Sequence, residues 1–122
     1  MWIFALLSCV DSASLTWEGA CEGVEDGGRD QTNLSVTIDN DFDGLMCMSR
    51  DGYTDTPEVD AYLRTDEIEC IEQGGSYDYE LRVATDCPAP RSVRIELEGI
   101  YCISTVSCED PEIVQVVEVR IR

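Results

Sequence analysis

Histidine and lysine are both absent from this 122-residue sequence, and its eight basic residues are all arginine. Without histidine the chain cannot build a Ser-His-Asp or Cys-His nucleophile or a histidine-ligated zinc site. Acidic residues number 26, which gives a formal net charge of -18. Such a surface repels phosphate groups, so we expect no nucleic-acid partner. Because carboxylates are so abundant, a pair of them is not by itself evidence of a catalytic site.

Long apolar runs and C-x-x-C pairs are also missing. The apolar run that opens the chain, residues 1–7, is far shorter than the roughly 20 residues that a membrane-spanning helix needs. The seven cysteines are widely spaced. This spacing argues against a zinc knuckle or a thioredoxin-type motif. It is typical of a disulfide framework formed in an oxidising compartment.

The segment Leu6-Leu7-Ser8-Cys9 follows the apolar run. It resembles the lipobox of bacterial lipoproteins, in which a small residue precedes the cysteine that receives the lipid. The resemblance implies a truncated signal peptide at residues 1–8 and lipidation of Cys9. It also implies an exported protein, held at the outer membrane or cell surface, or otherwise periplasmic or extracellular. The alternative is that residues 1–7 form the first strand of the domain.

If Cys9 carries a lipid, six cysteines remain for three disulfides. They are Cys21, Cys47, Cys70, Cys87, Cys102 and Cys108. The short turn between Cys102 and Cys108 favours a local bridge, which would leave Cys70 with Cys87 and Cys21 with Cys47 as one arrangement. Six cysteines allow 15 connectivities, and the sequence does not choose among them.

Apolar and polar residues alternate with a period of two in the second part of the chain. The alternation predicts strands at 33–39, 77–83, 91–99 and 113–122. Weaker signals predict strands at 45–49, 59–64 and 101–104 and a helical turn at 65–73. This pattern is typical of antiparallel strands with one buried and one exposed face.

About seven short strands predict an all-β fold, a small antiparallel β-sandwich with an immunoglobulin-like arrangement, stabilised by disulfides. Residues 9–31 are rich in acidic residues, glycine and serine, and we interpret them as a tether. The predicted organisation is therefore a signal peptide at 1–8, a tether at 9–31 and a β-sandwich domain at 32–122.

One group of carboxylates has the spacing of metal ligands. It consists of Asp39, Asp41 and Asp43, at every second position, followed by Gly44. It resembles the first half of an EF-hand-type calcium loop, which supplies hard oxygen ligands from a tightly curved segment. The bidentate glutamate of that loop is replaced here by Arg50. Calcium is therefore one hypothesis for this segment, and an acidic turn between two strands is the other.

These observations favour a non-catalytic binding or structural module that is exported and lipid-anchored, with a protein or glycan ligand at the cell surface. A calcium-dependent adhesive or carbohydrate-binding module is the alternative, and a carboxylate-based hydrolase is the second alternative. No cofactor is expected apart from calcium. Contact with a membrane is expected only through the lipid anchor.

Overall fold

The computed structural model describes residues 10–66, 69–104 and 107–122. Within these ranges it contains β-strands and no α-helix. The strands are β1 (Asp11–Trp17), β2 (Arg29–Asp39), β3 (Leu45–Thr54), β4 (Val59–Leu63), β5 (Cys70–Ile71), β6 (Ser76–Asp86), β7 (Ser92–Ser104), β8 (Ser107–Cys108) and β9 (Glu112–Ile121). The predicted signal peptide and Cys9 lie outside the described residues. Nowhere in the described part does a helix of membrane-spanning length and hydropathy occur.

The strands form a mixed sheet in the order β1-β9-β7-β3-β4-β6-β2, with β5 attached to β3 and β8 to β7. All these pairs are antiparallel except β1–β9, which is parallel. A register shift in β3 between Met48 and Gly52 lets this strand connect the β9-β7 side to the β4-β6 side. The predicted fold class, a small disulfide-stabilised β-sandwich of immunoglobulin-like arrangement, is confirmed; the parallel β1–β9 pair was not expected.

The hydrophobic core lies between the inward faces of the strands. Alternate residues of β4, β6 and β7 turn inward, as the period of two predicted, and so do those of β9 from Val117 onward. The side chains with no exposed surface include Leu63, Leu81, Val83, Ile95, Leu97, Val117 and Val119. Full burial of such a side chain stabilises the folded state by about 1.5–3 kcal/mol. This gain offsets the mutual repulsion of the acidic surface.

The predicted tether at 9–31 needs correction, because Asp11–Trp17 forms β1 and β2 already begins at Arg29. In β1, Ser12, Ser14 and Thr16 are exposed, whereas Trp17 is buried. Exposed and partly buried residues alternate in this segment as they do in the other strands. The alternation was not recognised in the sequence because the exposed residues are small and polar, as in a flexible linker. The domain therefore extends to the start of β1.

Two other boundaries also differ from prediction. The strands expected at 91–99 and 101–104 are one continuous strand, β7. The helical turn expected at 65–73 is not seen in the described part of that segment, where β5 pairs with β3. Residues 67–68 of the segment lie outside the described residues.

Three disulfides connect the six cysteines of the domain: Cys21–Cys87, Cys47–Cys70 and Cys102–Cys108. The local bridge that the short turn favoured is present, whereas the arrangement considered for the other four cysteines is wrong. It is wrong because β5 places Cys70 directly opposite Cys47 on β3. Cys21 instead meets Cys87, just beyond the end of β6. Three disulfides fit an extracellular or periplasmic protein.

Tyr79 on β6 is 1% exposed, and its hydroxyl has no hydrogen-bond partner in the described part of the chain. Burial, followed by the neighbouring Tyr77 and Glu69, raises the pKa of Tyr79 to about 12. Because a buried hydroxyl without a partner loses its hydration, Tyr79→Phe is expected to raise the free energy of unfolding by about 1 kcal/mol. Urea denaturation measures this change.

Tyr53→Phe is the matched control for this prediction. The Tyr53 side chain is exposed, and its hydroxyl donates a hydrogen bond to Glu98 at 3.0 Å. Its removal is expected to leave stability unchanged or slightly lower. If Tyr79→Phe lowered the free energy of unfolding instead of raising it, the buried hydroxyl would have a hydrogen-bond partner in solution.

Candidate functional site

A cavity of about 530 Å³ opens at one end of the sandwich, where β1 and β9 begin and β2 and β7 end. We call it the acidic cavity. Its carboxylates are Asp11, Asp39, Asp41, Asp43, Glu109 and Glu112. Its other lining residues are Phe42, Met46, Tyr101 and Val114. No arginine lines it, so the negative charge of its wall is not neutralised locally.

The loop between β2 and β3 is shaped by Asn40, whose side chain is fully buried. Its Nδ2 donates hydrogen bonds to the backbone carbonyls of Gly44 and Ile71, both at 2.8 Å. Its Oδ1 accepts one from the backbone N–H of Phe42 at 2.9 Å. The loop is therefore held from inside by an amide side chain, which leaves the three aspartates around it facing outward.

Gly44 brings this loop against β7. Its φ is +150°, and a Cβ atom there would lie 2.6 Å from the carbonyl oxygen of Cys102 and 2.9 Å from the ring of Phe42. Only glycine permits so close an approach of two backbones. This contact places Phe42 beside Tyr101, with ring centroids 4.4 Å apart and ring planes tilted by 37°.

The cavity combines an apolar base with a charged rim. Met46 and Val114 are buried beneath it, and Phe42 and Tyr101 are half-buried. Asp41, Asp43, Glu109 and Glu112 are exposed. A small number of polar groups around an apolar and aromatic surface is the usual composition of a ligand-binding site.

Mutual repulsion of the carboxylates is visible at Asp11. Partial burial, and then the charges of Asp41 and Asp39, raise the pKa of Asp11 above its ordinary value. The folded state therefore binds this proton more tightly than the unfolded chain does. Stability falls as the pH rises through the pKa of Asp11 in the folded state, because ionisation places a charge on a partly buried carboxyl group beside Asp41 and Asp39. A cation in the cavity would relieve this repulsion.

The three aspartates predicted as calcium ligands all line the cavity. However, the described part of the chain contains no group of three or more acidic or cysteine side chains close enough together to hold a metal ion. The residue at the position of the missing glutamate, Arg50, stacks over the ring of Tyr62 at 4.8 Å. The aspartates thus share a cavity without converging on one point.

Three carboxylates of the cavity were not identified from the sequence: Asp11, Glu109 and Glu112. Asp11 was assigned to the tether, and its position at the start of an alternating segment was the signal that would have placed it. Glu109 follows Cys108, whose bridge to Cys102 brings it back to β7, where its N–H binds the carbonyl of Tyr101. That position depends on a disulfide pairing that the sequence does not determine.

Comparison with known proteins identifies no family. No family model matches the chain, and no curated protein matches it. Among solved structures, it is similar to SSP-19, an MSP-domain protein like family member in Caenorhabditis elegans, with 8% identity and a TM-score of 0.47 over 93% of this chain and 94% of that one. It is also similar to the Vibrio cholerae VesB protease, with 12% identity and a TM-score of 0.45 over 98% of this chain and 34% of that one.

Proposed function

We propose that this protein is an exported, non-catalytic binding domain whose acidic cavity takes a basic segment of a partner protein. The observation that carries the proposal is the cavity itself, which places six carboxylates around an aromatic and apolar base. Ion pairs with the rim and burial of aliphatic side-chain stems against the base would act together. Arginine and lysine side chains offer both parts, a cationic head and an apolar stem.

The spread of the carboxylates favours an extended organic cation over a metal ion. A calcium ion needs several oxygen atoms within 2.3–2.6 Å of one point. The described residues offer no such cluster. A guanidinium group can instead stack on Phe42 or Tyr101 while its N–H groups bind carboxylates of the rim. A calcium-dependent adhesive or carbohydrate-binding module, and a carboxylate-based hydrolase, stay as alternatives.

We also propose that Cys9 carries a lipid that anchors the domain to a membrane. The support is the lipobox-like segment together with a disulfide-bonded domain. Because β1 begins at Asp11, the anchor would hold the end of the sandwich that bears the acidic cavity close to the membrane. The partner is then expected to present its basic segment near the membrane surface. The intact mass of the mature protein tests the anchor; a mature chain that retains an unmodified Met1 would exclude it.

The cavity is tested by fluorescence anisotropy with a labelled arginine-rich peptide. The variant Asp41→Asn/Glu112→Gln removes two rim charges and is expected to weaken binding about fivefold, because each exposed pair contributes about 0.5 kcal/mol. Raising the NaCl concentration from about 50 mM to about 300 mM should weaken wild-type binding as well. A glutamate-rich peptide of equal length should not bind.

The matched control is Glu25→Gln/Glu58→Gln, which changes the net charge equally. Both control residues are exposed and lie near the end of the sandwich opposite the cavity. Equal weakening in the two double variants would mean that only net charge attracts the peptide, and would refute the cavity as its site. A calcium titration of the wild type separates the calcium alternative. A rise in melting temperature that is lost in Asp41→Asn would favour calcium over the peptide.

A further inference from the structure

The strand β2 forms one edge of the sheet. It pairs with β6 over its whole length, from Arg29 to Asp39, without a register shift. On the other side of β2, no strand of the described part is hydrogen-bonded to it. An edge strand of this kind presents a row of backbone donors and acceptors to solvent.

The backbone groups that face this free edge can be identified from the strand's own geometry. Just beyond β2, the N–H of Asn40 donates to the carbonyl of Gly75 on the β6 side. In a regular strand the N–H and C=O of one residue point to the same side, and those of the next residue point to the opposite side. Even-numbered residues of β2 therefore bond to β6. The odd-numbered residues Asn33, Ser35 and Thr37 turn their N–H and C=O groups to the free edge.

The free edge also lacks the features that normally prevent strand addition. Natural edge strands are protected by lysine, proline, bulges or inward-facing charges. Residues 31–38 of β2 read QTNLSVTI, with no charged residue and no proline, in a chain whose residues are 28% charged. The continuous pairing with β6 excludes a bulge there. The longest edge strand of a strongly acidic protein is thus uncharged at its centre.

We propose that β2 pairs with β2 of a second copy of this chain, antiparallel and centred on Leu34. This register places Asn33 opposite Ser35 of the second copy, so outward-facing backbone groups meet on both strands. It also places Arg29 at each end opposite Asp39 of the other copy, and no carboxylate faces another. Arg29 already binds Asp60 and Asp86, but its guanidinium retains unused N–H donors.

The strand sequence is complementary to itself about Leu34, because its basic end at Arg29 meets its acidic end at Asp39. This complementarity favours a second copy of the chain as the occupant of the edge. The whole-molecule charge acts in the opposite direction. Each copy has a net charge of -18, so two copies repel each other at low ionic strength. Salt screens this repulsion but does not weaken the backbone hydrogen bonds at the uncharged centre of the interface, residues 31–38. The dimer is therefore expected to strengthen as NaCl is added, unlike an interface built on ion pairs.

Sedimentation velocity of the full disulfide-bonded chain tests the proposal. In about 0.5 M NaCl, where the Debye length is only a few ångströms, the wild type is expected to dimerise more tightly than at low salt. Ser35→Pro removes an N–H that faces the free edge and none that bonds to β6, so it should fold and dimerise at least about tenfold more weakly. Ser35→Ala keeps this N–H and should behave as the wild type. A wild type that stays monomeric at high salt, or a Ser35→Pro variant that dimerises equally well, would overturn the proposal.

Hydrogen exchange of the wild type provides a readout that does not depend on the folding of a variant. The amides of Asn33, Ser35 and Thr37 are expected to gain protection as the protein concentration rises, whereas those of β1, the other edge strand, should not. Protection that appears on β1 alone, or a dimer that forms without any change in β2, would assign self-association to a different surface.

Discussion

Replacing Asn40 by alanine is expected to lower the free energy of unfolding by about 3 kcal/mol, because three hydrogen bonds of a buried side chain are lost. The carbonyls of Gly44 and Ile71 and the N–H of Phe42 would each lose their Asn40 partner in the interior. The loop that carries Asp41 and Asp43 would lose its internal support. Binding of the arginine-rich peptide should therefore weaken under conditions in which the variant is still folded. Urea denaturation and anisotropy measure the two effects.

Asn33→Ala is the control for this first prediction. The Asn33 side chain is exposed and accepts one hydrogen bond from Arg82 at 2.9 Å. Its loss is expected to change stability by no more than about 0.5 kcal/mol. Similar destabilisation by the two substitutions would contradict the structural role assigned to Asn40. Asn40→Asp would add a test of polarity, because a carboxylate can accept from Phe42 but cannot donate to the two carbonyls.

Removing the disulfide Cys21–Cys87 with a double alanine substitution is expected to lower the free energy of unfolding by about 4 kcal/mol. This bridge joins residues 66 apart in sequence, so it restricts the unfolded chain more than the other two do. It also holds the segment between β1 and β2 against the end of β6. The melting temperature and the urea midpoint should both fall, with thiol titration confirming that no new bridge forms.

The pair Cys102 and Cys108 is the internal comparison for this second prediction. Its sequence separation is only 6, and the same loop-entropy argument gives about 2 kcal/mol for its removal. The bridge adjoins the acidic cavity, because the lining residues Tyr101 and Glu109 are the sequence neighbours of its two cysteines. We therefore expect its loss to weaken peptide binding more and stability less than loss of Cys21–Cys87. The reverse order of stabilities would show that strain or residual structure, and not loop length, controls the effect.

Most of the fold was predictable because strand alternation is a local property of the sequence. Val93, Ile95 and Leu97 alternate with charged residues, and all three are buried, as this period of two requires. β1 was missed because Ser12 and Ser14 read as a flexible segment when considered alone. Its strand conformation depends on pairing with β9, from Asp11 opposite Gln115 to Trp17 opposite Ile121. Residues a hundred positions apart supply those hydrogen bonds, and no short window of sequence contains them.

The sequence by itself determined that this is an acidic, disulfide-bonded β-sandwich, because composition and a period of two specify which residues turn inward. It also placed Asp39, Asp41 and Asp43 on one loop. Only the tertiary structure decided how the four cysteines other than Cys102 and Cys108 pair, and that Glu109 and Glu112 join these aspartates around one cavity. The physical reason is register: which strand lies beside which, and with what offset, is set by long-range pairing. The position of a side chain across the sheet follows from that offset.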